Sequence, residues 1–117
     1  MKNIKNPPDD KDGKYVLIFT SNHCPYCRKM EKILKQIEKK YIQKGVEFFN
    51  INISNNMELA EKYNIKSTPQ TFFMHGSKVV GSEMGAVSTR AVEMQLEDLL
   101  KSGELLKKIK GLFSKKK

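Results

Sequence analysis

HCPYCRKM, residues 23–30, holds both cysteines of this 117-residue chain. Only Pro25 and Tyr26 separate Cys24 from Cys27. Such spacing serves half of a zinc site, a structural staple, or a dithiol that cycles between oxidised and reduced states. A tetrahedral zinc site takes four ligands, and beyond the cysteines the best candidates are His23 and His75. His23 adjoins Cys24 and is badly placed to share a metal with it, so no metal site is expected. A bridge across so few residues closes too small a loop to add much stability. The dithiol remains.

The flanks agree with it. Tyr15 to Thr20 is a short, nearly all-apolar run rich in β formers, as expected of a central strand covered on both faces. From Pro25 to Lys44 the apolar positions Met30, Ile33, Leu34, Ile37 and Tyr41 step by three and four residues, which predicts a helix. Pro25 just inside its start and Gly45 just past its end fit that boundary. Cys24 then lies where strand gives way to helix, facing unpaired N–H groups and the positive end of the helix dipole. Arg28, Lys29 and a protonated His23 add favourable charge. Thiols in such surroundings fall from a free pKa of about 8.5 to roughly 3.5–7.5.

Cys27, one helical turn on, is within reach of a disulfide with Cys24. The expected chemistry is attack by Cys24 on a substrate disulfide, then displacement by Cys27, which leaves a redox-active Cys24–Cys27 bond. His23 has a second reading as a plain exposed loop residue. Tyr26 either shapes substrate contacts or packs on the helix, and His75 is expected to be exposed in a turn.

Val46–Ile53 reads as a second strand. Ser54 or Asn55 is the expected cap of a short helix through Met57, Leu59, Ala60 and Tyr63. Thr71–Met74 and Lys78–Glu83 form a predicted hairpin around His75-Gly76-Ser77. Ser88 or Thr89 opens a last helix through Val92, Leu96, Leu99 and Leu100, with Gly103 as its stop or kink. The order predicts an α/β fold: a mixed central sheet of about four strands flanked by helices. Its first two strands are parallel by a right-handed crossover. Residues 1–14 read as a polar lead-in, 15–101 as the domain and 102–117 as a basic amphipathic tail.

A hydrophobic content of 38% with 30% charged residues fits one soluble globular domain. The longest apolar run, Val16–Phe19, is far too short to cross a bilayer. MKNIKNPPDDKDGK at the start lacks the apolar stretch of a secretory signal, so a cytoplasmic, thiol-reducing setting is expected. The net charge of +9 is uneven: residues 101–117 carry seven lysines against one glutamate, and residues 1–100 carry 15 Lys and Arg against 12 Asp and Glu. That argues against a fold-wide nucleic-acid surface. In the tail, Leu105, Ile109, Leu112 and Phe113 stand at helical spacing among lysines. The segment reads either as a basic amphipathic helix for an anionic membrane surface, nucleic acid or an acidic partner, or as a C-terminal helix docked on the domain with a solvated lysine end. Docking is the favoured reading, although Gly103 and Gly111 each weaken an isolated helix by about 1 kcal/mol relative to alanine. A monomer is expected.

CPYC after a strand, followed by a helix and then by NIKSTPQTFF at residues 64–73, resembles the thioredoxin superfamily. CPYC with Arg28-Lys29 is similar to the active site of dithiol glutaredoxins. Residues 48–88, FFNINISNNMELAEKYNIKSTPQTFFMHGSKVVGSEMGAVS, resemble thioredoxin segment by segment. The likeness spans roughly residues 15 to 101.

It implies a thioredoxin fold and a protein disulfide oxidoreductase with Cys24 and Cys27 catalytic and His23, Pro25, Tyr26 and Arg28 completing the motif. It also implies a cis peptide bond before Pro69, packed beside the cysteines, where Pro69 keeps metal ions from the dithiol. The backbone of Thr68 would pair with an extended substrate segment. Implied partners are disulfide-containing proteins and an electron donor, either a thioredoxin reductase or glutathione, with no bound cofactor.

Departures from the family pattern are specific. His23 stands where thioredoxins carry tryptophan, and Ile18 stands where they carry a buried aspartate. Thr20-Ser21-Asn22 and Gly81-Ser82-Glu83-Met84-Gly85 replace the lysine and the Gly-Gly…Asp stretch with which glutaredoxins hold glutathione. Thioredoxin's extra first strand and helix are expected to be reduced or missing. Three alternatives stand beside the reductase: a glutathione-dependent glutaredoxin, a binding module of this fold with a basic tail, and an iron–sulfur carrier bridging two chains, which the proline within CPYC fits poorly.

Overall fold

The computed structural model describes residues 1–114, with side chains through Ser102. The central strand β2 (Lys14–Thr20) is flanked on one side by β3 (Val46–Asn52), parallel to it, and on the other by β4 (Gln70–His75), antiparallel. β5 (Lys78–Met84) extends the sheet beyond β4, and β1 (Lys2–Asn3) extends it beyond β3. Helices α1 (Pro25–Tyr41) and α3 (Thr89–Ser114) cover one face, and the short α2 (Met57–Lys62) lies on the other.

β2 is buried along nearly its whole length because both its faces are covered. Val16 and Ile18 pack with Met30, Leu34 and Ile37 of α1 and with Val92, Leu96 and Leu99 of α3. Tyr15, Leu17 and Phe19 face the other way, toward Phe49, Ile51, Leu59 and Ala60. Alternation along one strand thus serves two half-cores. Each fully buried large apolar side chain stabilises the fold by about 1.5–3 kcal/mol.

Several details differ from the sequence reading. The sheet has five strands, because Lys2 and Asn3 pair in parallel with Phe49 and Asn50. The first strand is thus reduced to two residues, and no helix stands between it and β2. α1 ends at Tyr41, and Ile42–Lys44 tighten into a single 3-10 turn that Gly45 closes at a φ of 86°. The cap of α2 is Asn56, whose side chain accepts the N–H of Leu59 at 3.2 Å. The hydroxyl of Ser54 is taken instead by the N–H of Asn22.

His75 is half-buried at the end of β4, with Nδ1 3.1 Å from the Ser102 hydroxyl; it is not an exposed turn residue. The turn itself is Gly76-Ser77, where a Cβ on Gly76 would collide with the backbone of Lys11. α3 opens with the Ser88 hydroxyl accepting the N–H of Ala91 at 3.2 Å. It runs on through Gly103 without stopping, so residue 102 marks no break in the helix. The tail's side chains, on which its amphipathic reading rests, lie outside the described residues.

Candidate active site

The loop between β2 and α1 is held from below by amides. The Asn52 amide donates to Asn22 Oδ1 at 2.9 Å, and Asn52 Oδ1 accepts the N–H of Ser54 at 2.9 Å. The N–H of Asn22 donates to Ser54 Oγ at 2.8 Å. His23 then turns the chain with a φ of 57° and is exposed.

Cys24 is the N-cap of α1, in extended conformation, with Pro25 at the first helical position. Its sulfur accepts the N–H of Cys27 at 3.2 Å. This is one of the donors that a helix start leaves unpaired, and it points at the sulfur as an anion would require. The two cysteines form a disulfide with Cα atoms 5.2 Å apart. Cys24 is partly exposed, whereas Cys27 is fully buried.

The segment leading into β4 supplies the facing wall. The Thr68–Pro69 peptide bond is cis, and Pro69 is buried. The carbonyl oxygen and the hydroxyl of Thr68 each lie 3.6 Å from the Cys24 sulfur. The Thr68 hydroxyl is also 2.6 Å from that of Ser21. The Pro69 carbonyl accepts the N–H of Gly85, at a φ of 77°, over 2.8 Å. Cys24, Thr68 and Pro69 therefore meet, 44 residues apart in sequence between Cys24 and Thr68.

Tyr26 is 63% exposed, and Lys29 Nζ lies 6.0 Å from its ring centroid. Arg28 turns to Glu31 at 2.9 Å rather than to the sulfur. Ile18 is fully buried among the residues under α1. Sequence reasoning met Ser21, Asn22 and Gly85 only as departures from the glutaredoxin pattern; their bonds to Thr68, to Ser54 and Asn52, and to Pro69 emerge only in the fold.

The geometry can be set beside known proteins. A family model described as a thioredoxin-like domain matches residues 5–100. The chain belongs to this thioredoxin-like family. Among curated relatives, the thioredoxin of Buchnera aphidicola subsp. Baizongia pistaciae is 35% identical over 88 residues, covering 74% of this chain and 76% of the relative. Thioredoxin-1 of Drosophila melanogaster is 31% identical over 83 residues, covering 71% and 77%.

Two solved structures give the same picture. The germline-specific thioredoxin Deadhead of Drosophila melanogaster superimposes with a TM-score of 0.65 at 27% identity, over 74% of this chain and 81% of that one. Malassezia sympodialis thioredoxin reaches 0.72 over 84% and 90%, but at 14% identity it speaks to the fold alone. With its cysteine pair intact, this thioredoxin-like chain is a protein disulfide oxidoreductase, and disulfides are the kind of substrate it acts on.

Proposed function

We propose that the chain is a general protein-disulfide reductase of the cytoplasm, working as a monomer without a bound cofactor and re-reduced by a thioredoxin reductase. The observation that carries this reading is the asymmetry of the pair: a partly exposed N-cap Cys24 above a fully buried Cys27, beside the backbone of Thr68. In the reduced protein the Cys24 thiolate attacks one sulfur of the substrate disulfide. The substrate S–S bond breaks, one substrate thiolate leaves and takes up a proton, and a mixed disulfide forms. Cys27 then gives up its proton and attacks the Cys24 sulfur. That breaks the mixed bond, releases the second substrate thiol and closes Cys24–Cys27. Two electrons pass to the substrate, and the donor returns them.

The choice of donor rests on what lines the site. Thr20, close to where a glutaredoxin lysine would meet glutathione, is 1% exposed and bonds Asn50 at 2.8 Å. Neither Thr20 nor its neighbours Ser21 and Asn22 is a cation. The CPYC motif is what favours the second reading, a glutathione-dependent enzyme acting on glutathionylated substrates.

Cys24→Ser should abolish reduction of a model protein disulfide, and Cys27→Ser should accumulate mixed disulfides visible by mass spectrometry. Retained turnover in Cys24→Ser would overturn the assignment of roles. Coupled assays with thioredoxin reductase and, separately, with glutathione decide the donor, and faster turnover with glutathione would favour the second reading.

A further inference from the structure

Counting from Cys24, residues Arg28, Lys32, Lys35 and Lys39 follow at steps of four, four, three and four. At 3.6 residues per turn this keeps them in one stripe down the exposed side of α1, beginning one turn past the N-cap cysteine. All four are exposed, and Lys29 is exposed beside them. With a rise of 1.5 Å per residue, the stripe from Arg28 to Lys39 is roughly 16 Å long.

Few anions answer these cations. Residues 25–44 hold seven Lys and Arg against only Glu31 and Glu38. Glu31 is engaged by Arg28 at 2.9 Å, and Glu38 by the amino group of Met1 at 2.6 Å. Lys40 leans toward Glu93 of α3 at 3.9 Å. Lys29, Lys32, Lys35 and Lys39 form no ion pair among the described residues. The rest of residues 1–100 holds eight Lys and Arg against ten Asp and Glu. The domain's positive charge is therefore gathered on the helix that begins at the reactive sulfur. Like charges four residues apart repel, and cations near a helix start oppose its dipole. The pattern works against the helix that carries it.

We infer that this stripe docks substrate proteins that carry acidic residues beside their disulfide. The inference rests on the reductase reading above. An occupant that reaches the sulfur and the stripe together must bring both a disulfide and negative charge, which singles out an acidic protein over a nucleic acid or a lipid surface. Five extended residues, at about 3.3 Å each, match the stripe's length. Complementary charge of this kind acts chiefly on encounter and is screened by salt.

The test uses the full chain and the triple variant Lys32→Glu, Lys35→Glu, Lys39→Glu, which leaves residues 23–28 intact. Three substrates are compared: a disulfide peptide flanked by aspartates and glutamates, the same peptide with asparagines and glutamines, and bis(2-hydroxyethyl) disulfide. The parent should prefer the acidic peptide, and 0.5 M salt should erase the preference. The variant should lose on the order of tenfold in kcat/KM on the acidic peptide, through KM, and keep its rates on the other two. The Lys→Gln triple, expected to fall between parent and variant, keeps the test valid if charge reversal perturbs folding. Equal parent rates on both peptides, or an equal loss on all three substrates, would overturn the proposal. So would parent binding to DNA or phosphatidylserine vesicles without any peptide preference. Failure of the parent on bis(2-hydroxyethyl) disulfide would instead count against the reductase reading itself.

Discussion

Thr68 carries two duties at the reactive sulfur, one through its carbonyl and one through its hydroxyl. When Cys24 is a thiolate, the Thr68 O–H can donate to it while accepting from Ser21, so the two hydroxyls form a directed pair. A hydrogen bond to the thiolate favours the reduced protein. Thr68→Val should therefore make the dithiol more reducing by roughly 20–30 mV, taking about 1–1.5 kcal/mol for the lost bond and 30 mV per 1.4 kcal/mol. Ser21→Ala should move it the same way by less. Equilibration against a reference thiol pair measures both, and an unchanged potential in Thr68→Val would show that the hydroxyl does not serve the sulfur. Cys24, Cys27 and Pro69 were legible in the sequence because each belongs to a short motif. The Ser21–Thr68 pair was not, since two common hydroxyl residues 47 positions apart carry no local signal.

Between elements, α1 and α3 are tied by Tyr41, whose hydroxyl donates to Glu97 Oε2 at 2.7 Å. Burial, then the bond to Glu97, raises the Tyr41 pKa, while the same bond, helped by Lys44, Lys40 and Lys101, lowers that of Glu97. A depressed carboxylate stabilises above its ordinary value near 4.5 and loses that contribution as the pH falls through its folded value. A raised tyrosine stabilises below its ordinary 10.0 and loses it as the pH climbs through its folded value. Thermal melts of Tyr41→Phe should lie below the parent near neutrality, with the gap narrowing as the pH falls below the ordinary carboxylate value of 4.5. A constant gap would exclude the pair as its source.

On β4, Thr71 is fully buried and its hydroxyl finds no hydrogen-bond partner among the described residues. Thr71→Val keeps the shape and removes the unsatisfied group, so it should stabilise by about 1–2 kcal/mol in urea denaturation; a loss would mean the hydroxyl is bonded in solution. Periodicity made β2, α1, β3, the hairpin and the start of α3 readable. β1 was hidden, because its two polar residues carry no strand pattern and pair through backbone and one Asn50-to-Asn3 amide bond at 3.1 Å. Among Ser54, Asn55 and Asn56 the local code is degenerate, and a distant contact from Asn22 decides it. Gly103 misled because a glycine costs a helix only about 1 kcal/mol.

Across the molecule, stability should follow how far each strand is covered. β2 and β4 lie inside the sheet and contribute to both half-cores, whereas β1 is a two-residue edge and α2 is six residues long. Hydrogen exchange followed by mass spectrometry should find β2 and β4 slowest and β1 and α2 among the first to exchange; protection of β1 equal to that of β2 would contradict this layering. The net charge was legible as a sum, but its gathering on α1 emerges only when residues are placed on a helix.

Cys24 and Cys27 stand three residues apart, so closing their bond barely restricts the unfolded chain. Oxidised and reduced protein then differ in unfolding free energy mainly through what the native fold does for the two sulfurs. By the thermodynamic cycle, that difference equals the gap between the couple's potential in the fold and in the free peptide, at 30 mV per 1.4 kcal/mol. A pair of denaturation curves is thus a potentiometer for this protein, one that needs neither substrate nor donor.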